Sequence, residues 1–269
     1  MDDAPDAAAA APARGRPRLS LIVITRNEAH RLAACLGSVP FADEIVVVDS
    51  ASSDGTPDLA RRLGARVIET ADWPGFGPQK NRALDAARGD WVLSLDADEA
   101  ATPELAARIR RVVEAGGDAA GPPAVAYTLS RLSSLAGRWV RHGDWYPDPV
   151  LRLFRRGAAR FSDDAVHERL VCEGPVGRLD GHLLHHGMPT LDDCLDKINR
   201  YSTARAVQLR RRGRGGLAAA LGHGVWAFVR SYVVRRGFLD GAIGFVLAVS
   251  SAESTYYSYL KAALPGDDG

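Results

Sequence analysis

Between Leu19 and Glu99 the chain alternates apolar runs with amphipathic stretches, and this alternation constrains its fold more than any other feature. Leu19–Ile24, Glu44–Val48, Arg66–Glu69 and Trp91–Leu95 read as strands. Helical stretches lie between them, to about Gly37, over Asp58–Leu63 and over Gln79–Arg88. Thr56-Pro57 and Thr102-Pro103-Glu104 carry the cap-then-proline signal of a helix start, and Gly64 and Gly89 sit where helices stop. A β-α-β-α-β-α-β order implies parallel strands joined by right-handed crossovers, hence an α/β sheet flanked by helices.

Ligands of such sheets bind at the carboxyl ends of the strands. The fourth run, Trp91-Val-Leu-Ser-Leu-Asp96-Ala-Asp98-Glu99, stops at two carboxylates one residue apart. Such a pair can hold a hard divalent cation, Mg²⁺ or Mn²⁺, which in turn neutralises phosphates. Asp49 closes the second run, so a further acid is expected on the same edge. The loop after the first run, Thr25-Arg26-Asn27-Glu28, lacks the glycines of a dinucleotide fingerprint, and no P-loop motif occurs. Phosphates would therefore be held through metal, while one acid hydrogen-bonds a base or ribose.

Beyond the Gly/Pro-rich segment Gly116–Ala124 the texture changes to strand-like Val125–Leu129, Val150–Phe154 and Ala165–Val171. Thr190-Leu-Asp-Asp193 then resembles a capping box, with Leu195, Ile198, Ser202, Ala206 and Leu209 on one helical face as core. Residues 1–18 have no apolar period and are expected to be a disordered tail without the features of a signal peptide. The expected organisation is a catalytic domain over 19–189 and a helical region over 190–264. A net charge of +1 argues against a nucleic-acid partner, and three widely spaced cysteines suit a reducing, cytoplasmic setting. No uncharged stretch has the length of an ordinary membrane span.

Three segments in register carry a family resemblance. Leu21-Ile-Val-Ile-Thr25-Arg-Asn-Glu28, Glu44-Ile-Val-Val-Val-Asp49-Ser-Ala-Ser-Ser-Asp54-Gly-Thr56 and Ser94-Leu-Asp96-Ala-Asp98-Glu99 resemble the family 2 glycosyltransferases of GT-A fold. Gln79–Arg82, Gly143–Asp148, Leu151–Arg156, Val166–Glu168, Asn199–Ser202 and Arg236–Gly241 extend the likeness to the bacterial lipopolysaccharide-core, β-1,4-glucosyltransferase-like subgroup. The chain departs from the commonest pattern at Ser50, where a second Asp is frequent. The resemblance implies a nucleotide-sugar donor, with a UDP-sugar expected, and a divalent metal on its diphosphate. It implies that Thr25, Asn27 and Glu28 border the nucleotide, that Asp49 contacts its base or ribose, and that Asp96 and Asp98 form the metal pair. The acceptor it implies is lipid-linked or a lipopolysaccharide core.

Inverting transfer needs a carboxylate to take the acceptor's proton, and Glu168 is the candidate, with Asp144 and Asp148 as rivals. Trp145 and Tyr146 are of a kind that stacks on sugars, and His167 would orient Glu168 or touch substrate. Lys80 could meet a phosphate, and one histidine of His182-x-x-His185-His186 could complete the metal site. Arg210, Arg211, Arg212, Arg214, Arg230, Arg235 and Arg236 border the apolar stretches Gly215–Val229 and Gly241–Ala252. That pattern suggests a region docked peripherally on an anionic cytoplasmic membrane face. Two other classes stay open: a nucleotidyltransferase, and a non-catalytic sugar-nucleotide-binding or membrane-adaptor protein of the same fold.

Overall fold

A computed structural model of the chain describes residues 18–117, 124–163 and 168–264. The expected tail, apart from Arg18, and His167 lie outside the described residues. The first half runs β1 (Leu19–Thr25), α1 (Ala29–Gly37), β2 (Glu44–Ser50), α2 (Thr56–Arg62), β3 (Arg66–Thr70), α3 (Phe76–Ala86) and β4 (Trp91–Asp96). It continues through β5 (Glu99–Ala101), α4 (Pro103–Glu114), β6 (Ala126–Leu135), β7 (Arg138–Trp139) and a 3-10 turn, Gly143–Trp145. Then come β8 (Asp148–Arg155), β9 (Ala159–Phe161), β10 (Leu170–Cys172) and β11 (Val176–Met188). Helices α5 (Leu191–Arg211), α6 (Leu217–Val229) and α7 (Gly241–Ala263) follow.

The main sheet is ordered β3-β2-β1-β4-β8-β6-β11-β5, with β7 hairpinned onto β6. The β3-β2-β1-β4 half is parallel, as the alternation demands. Strand β8 then enters antiparallel between β4 and β6, β11 runs parallel to β6, and β5 returns antiparallel on β11. The result is the GT-A arrangement: a mixed central sheet with helices on both faces and a helical C-terminal region. Alternation along β1 sends Leu21 and Val23 to the core under α1 and α4, and Ile22 and Ile24 to the core under α3. A strand buried on both faces has its only polar outlet at its end, which is why its functional residues gather there.

Several local expectations are corrected. Gly55, not Thr56, is the N-cap of α2; Thr56 lies inside the helix, where its hydroxyl accepts the Glu28 N–H. Helix α3 starts at Phe76, one turn earlier than its apolar period indicated. In β11, outside the strand-like runs read from the sequence, thirteen residues form one strand; Gly181 sits at φ +101° there, where the ladder shifts register. In α5 the capping box forms as written, Thr190 and Asp193 exchanging hydrogen bonds. Leu195, however, is exposed on that helix and Cys194 takes the buried place.

Helix α7 packs on both α5 and α6, around Ala206, Leu209, Ala220, Tyr259 and Ala262. The helices dock on the sheet through Leu135, Val140, Cys194 and Leu247. Polar ties fix the joint: Asp240 accepts the N–H groups of Arg141 and His142 and pairs with the His142 ring at 2.7 Å. A π-helical turn, Arg230–Val234, carries α6 onward through Arg230, where the sequence alone broke the apolar stretch. Leu217–Val234 is thus an 18-residue helical run of mean hydropathy 1.3, long and apolar enough by composition for a short span.

Candidate active site

Two strand ends on one sheet edge, with β1 between them, carry acids in opposite surroundings. Asp49, at the end of β2, is fully buried. Its Oδ2 accepts the hydroxyls of Thr25 (2.8 Å) and Ser52 (2.6 Å), and its Oδ1 accepts the Ser52 N–H at 2.9 Å. Asn27, at φ +58°, joins the same loop: its side-chain oxygen accepts the Ser53 N–H, and its own N–H donates to Ser52 Oγ. Glu28 is anchored by its backbone, yet its Oε2 is buried without a partner among the described residues. Burial pushes the Glu28 carboxyl above its usual range, Arg31 opposing.

Asp96, at the end of β4, is instead held by cations. Its Oδ1 lies 2.8 Å from Lys80 Nζ and its Oδ2 2.5 Å from Arg152 Nη2. Glu99 is fully buried and continues the network; its Oε1 accepts from Arg152 at 2.7 Å and its Oε2 accepts the Asp96 N–H at 3.0 Å. Burial alone would raise the Asp96 carboxyl, but Arg152 and Lys80 outweigh it and hold Asp96 far below the ordinary carboxylate range. Arg152 is buried as well, and its two carboxylates hold it charged. Two carboxylates on one side and two cations on the other let the cluster stay ionised in a place where a lone charge would not.

Lys80 reaches this point because α3 lies tight against the following segment. A Cβ on Gly77 would come within 1.9 Å of the Ser162 carbonyl oxygen, so only glycine permits that approach. From there Lys80 Nζ also meets Glu168 Oε1 at 3.0 Å, joining the base candidate to the Asp96 cluster. Asp98 stands slightly apart: its Oδ2 lies 3.4 Å from His185 Nε2 and 3.7 Å from Arg31. Burial would raise it, but the His185 contact outweighs that and keeps it below its usual value. His185 is oriented by Ser133 Oγ, 2.9 Å from its Nδ1.

The two rival bases part company. Asp148 faces the cleft and is held by Arg131 Nε at 2.8 Å. Asp144 turns to the helical region, where Arg230 Nη2 and Ser251 Oγ meet its Oδ2 at 2.9 Å and Arg235 lies 3.1 Å from its Oδ1. That setting makes Asp144 a tie between the two regions and argues against a role as proton acceptor. Trp145 packs partly into the joint, and the Tyr146 hydroxyl lies 3.3 Å from His182 Nε2.

The structure brings Thr25, Asn27 and Asp49 together at one strand end, and Lys80, Asp96 and Glu168 at the next. Arg152, Glu99 and Arg131 complete the second cluster without having been assigned to it, and of the three histidines offered for the metal site His185 is the one beside Asp98. Arg152 had a signal: it is a lone cation inside the apolar run Val150–Phe154. Glu99 had none, because its distinction from Asp98 is burial by β5.

Among the described residues no three His, Cys, Asp or Glu side chains converge as a preformed metal cage. The donors still suit a hard cation. Asp98 Oδ2 and His185 Nε2 are adjacent and engaged only at 3.4–3.7 Å, and Mg²⁺ takes one or two carboxylates and completes its shell with phosphate oxygens and water. Arg152 Nε is a buried donor with no acceptor among the described residues, which fits a site made for an anionic ligand.

Comparison with known proteins gives the family. The family profile "Glycosyl transferase family 2" matches residues 20–160. An uncharacterized glycosyltransferase of Rickettsia prowazekii is 28% identical, over 91% of this chain and 86% of its own length. The lipopolysaccharide core biosynthesis glycosyltransferase LpsC of Rhizobium meliloti is 29% identical over 93% of this chain and 96% of its own. Among solved structures, S. aureus TarS in complex with UDP-GlcNAc superposes with a TM-score of 0.46 at 17% identity, over 62% of this chain and 58% of that one.

Proposed function

This chain belongs to glycosyl transferase family 2 and is a glycosyltransferase; from that premise we propose that it moves a sugar from a UDP-sugar to a lipid-linked or lipopolysaccharide-core acceptor, with inversion and with a divalent metal. The observation that carries the reading is the pairing of strand ends: a hydroxyl-ringed acid, Asp49, beside a cation-compensated acid cluster, Asp96 and Asp98. The first is a fixed acceptor suited to the N–H or O–H groups of a base and ribose. The second, with buried Lys80 and Arg152, suits a diphosphate. The likeness to LpsC along nearly the whole chain supports the acceptor class.

Asp98 and His185, with Asp96, would hold Mg²⁺ or Mn²⁺. A bound cation there supplies charge neutralisation for the departing diphosphate. The chain's own side chains do the rest. Lys80 and Arg152, paired here with Asp96, Glu168 and Glu99, are two cations at the strand end that can turn to the charge developing on the departing phosphate. Glu168 takes the proton of the acceptor hydroxyl as its oxygen bonds to the anomeric carbon. The bond from that carbon to the diphosphate breaks, and its electrons leave with the phosphate. Glu168→Gln is expected to lower kcat by about 10²-fold or more with donor KM nearly unchanged. A near-normal Glu168→Gln beside an inactive Asp148→Asn moves the role to Asp148.

The helical region favours a peripheral membrane location on the cytoplasmic side. Leu217, Leu221, Val225, Trp226, Val233 and Val234 are exposed along one run, close to exposed Arg235 and Arg236. An apolar surface of that extent rimmed by arginines suits an anionic bilayer. Cosedimentation with vesicles containing anionic lipid, reversed by high salt, is the expected result; no binding at low salt overturns it.

A further inference from the structure

A cavity of about 380 Å³ lies where α5, the Gly143–Trp145 turn and α7 meet, and a second of about 330 Å³ adjoins it toward the active site. Lys197 and Tyr201 of α5 line both, while Asp148 and His185 line only the one nearer the active site. The two form one cleft leading from the rival base Asp148 and the metal candidate His185 into the helical region. Their sizes lie in the usual range for small-ligand sites.

The cations of this cleft differ in how they are satisfied. Arg230 is spent on Asp144, and Arg131 on Asp148. Lys197 and Arg205, two turns apart on the same face of α5, have neither an ion pair nor a side-chain hydrogen bond among the described residues. The cavity's one carboxylate, Asp144, already faces Arg230 and Arg235. Lys197 is also half-buried, and that burial lowers its pKa, with Arg131 and Arg200 adding to the effect and Asp98 opposing it. An ammonium kept from water without a direct ion pair is costly, and an incoming anion recovers that cost.

We infer that this cavity is an acceptor subsite in which Lys197 and Arg205 hold an oxyanion, a phosphate or carboxylate carried by the acceptor. The inference rests on the glycosyl-transfer reading and narrows its acceptor to an anionic one. The geometry favours the acceptor over the donor. The cleft is lined by Asp148 and His185 and not by Asp49, and Arg230 and Ser231 in its wall belong to the same helical run that bears the exposed apolar face. A lipid-borne acceptor lying on that face could lower its charged head into the cavity and present its hydroxyl toward the base.

The full-length protein, with its donor site saturated by UDP and Mg²⁺, is titrated calorimetrically with inorganic phosphate and separately with acetate. Expected is one saturable phosphate site, weakened at least about fivefold by Lys197→Met and by Arg205→Met. The exposed control Arg212→Met should leave it unchanged. Acetate bound as well as phosphate assigns a carboxylate as an equal occupant, and weaker acetate assigns a phosphorylated acceptor. Absence of phosphate binding, or binding indifferent to both substitutions, overturns the subsite. UDP affinity in the same wild-type sample tests the donor reading separately. Phosphate held through Lys197 without UDP binding leaves the subsite standing and the transfer reading fallen; UDP binding without phosphate does the reverse.

Discussion

Asp49 and Asp96 end strands on the same sheet edge, separated only by β1, yet the chain treats them oppositely. Around Asp49 every donor is neutral: two hydroxyls and one backbone N–H. Around Asp96 the side-chain donors are a buried ammonium and a buried guanidinium. Neutral donors orient a carboxylate and leave its charge to act on whatever comes next, as recognition of N–H and O–H groups requires. Cationic donors cancel the charge and create a patch of mixed sign that can rearrange when a diphosphate and its metal bring charge of their own. The first site is built to be static and the second to exchange partners.

The strongest way to break this contrast is Asp96→Asn. It keeps shape and removes charge, leaving Lys80 with Glu168 and Arg152 with Glu99 as their remaining counter-ions. Activity should fall by about 10²-fold or more. Stability should drop by at most about 3 kcal/mol, since both cations keep a partner. The pH dependence gives an independent check. The folded Asp96 carboxyl lies below its unfolded value, so its contribution is complete above the unfolded pKa of about 3.9 and is lost as pH falls from there toward the folded value. Urea titrations from pH 6 down to pH 3 should therefore show a shallower acid loss in the variant. An equal loss in both proteins removes Asp96 from the ion cluster.

These two sites were not equally legible from sequence. Asp49 and Asp96 could be found because a parallel strand buried on both faces makes its end conspicuous, and Val46–Val48 and Trp91–Leu95 are such strands. Around Asp96, Lys80 comes from α3 and was a candidate from the sequence, but Arg152, Arg131 and His185 of the wider cluster come from β8, β6 and β11, strands inserted antiparallel or across long connections, and pairing of that kind leaves no period in the sequence. Arg131 therefore joined the site, and His185 was singled out from its two neighbouring histidines, only through the register of β6 with β8 and β11. The helical region was legible as helices and largely in its facing, since Ser202, Ala206 and Leu209 are buried as read; Leu195 was read as core and is exposed, because α7 meets α5 on the Cys194 side.

A milder change sharpens the contrast from the other side. Thr25→Val keeps volume and removes one hydroxyl from Asp49 Oδ2, which retains Ser52 Oγ. The expected cost is about 1 kcal/mol of stability, with nucleotide affinity lower by less than about tenfold and kcat little changed. Thermal melts and UDP titrations measure both. If Thr25→Val stops turnover as completely as Asp96→Asn, the hydroxyl ring is not a passive orienter and the division between a static and an exchanging site fails.

The smallest expected effect falls at Glu28, which has neither kind of partner. Its backbone is fixed by the N–H bond to Thr56 Oγ1, and its carbonyl oxygen starts α1, while its buried Oε2 accepts from nothing among the described residues. Burial raises its folded pKa above the unfolded one, with Arg31 opposing. The folded state therefore binds the proton more tightly, so stability falls as pH rises from the unfolded pKa of about 4.3 through the folded value, and the penalty persists at neutral pH. Half-exposed as the group is, solvent keeps that penalty small. Glu28→Gln removes it: the variant should be at least as stable as wild type at pH 7, with a flatter stability–pH curve above about pH 4.3. A carboxylate retained at a cost to stability is one the ligand uses, so donor affinity should weaken by a few-fold in the same variant. If Glu28→Gln instead destabilises the protein and leaves donor affinity alone, Glu28 belongs with Asp49 as a structural acceptor, and the edge holds two static acids beside one exchanging cluster.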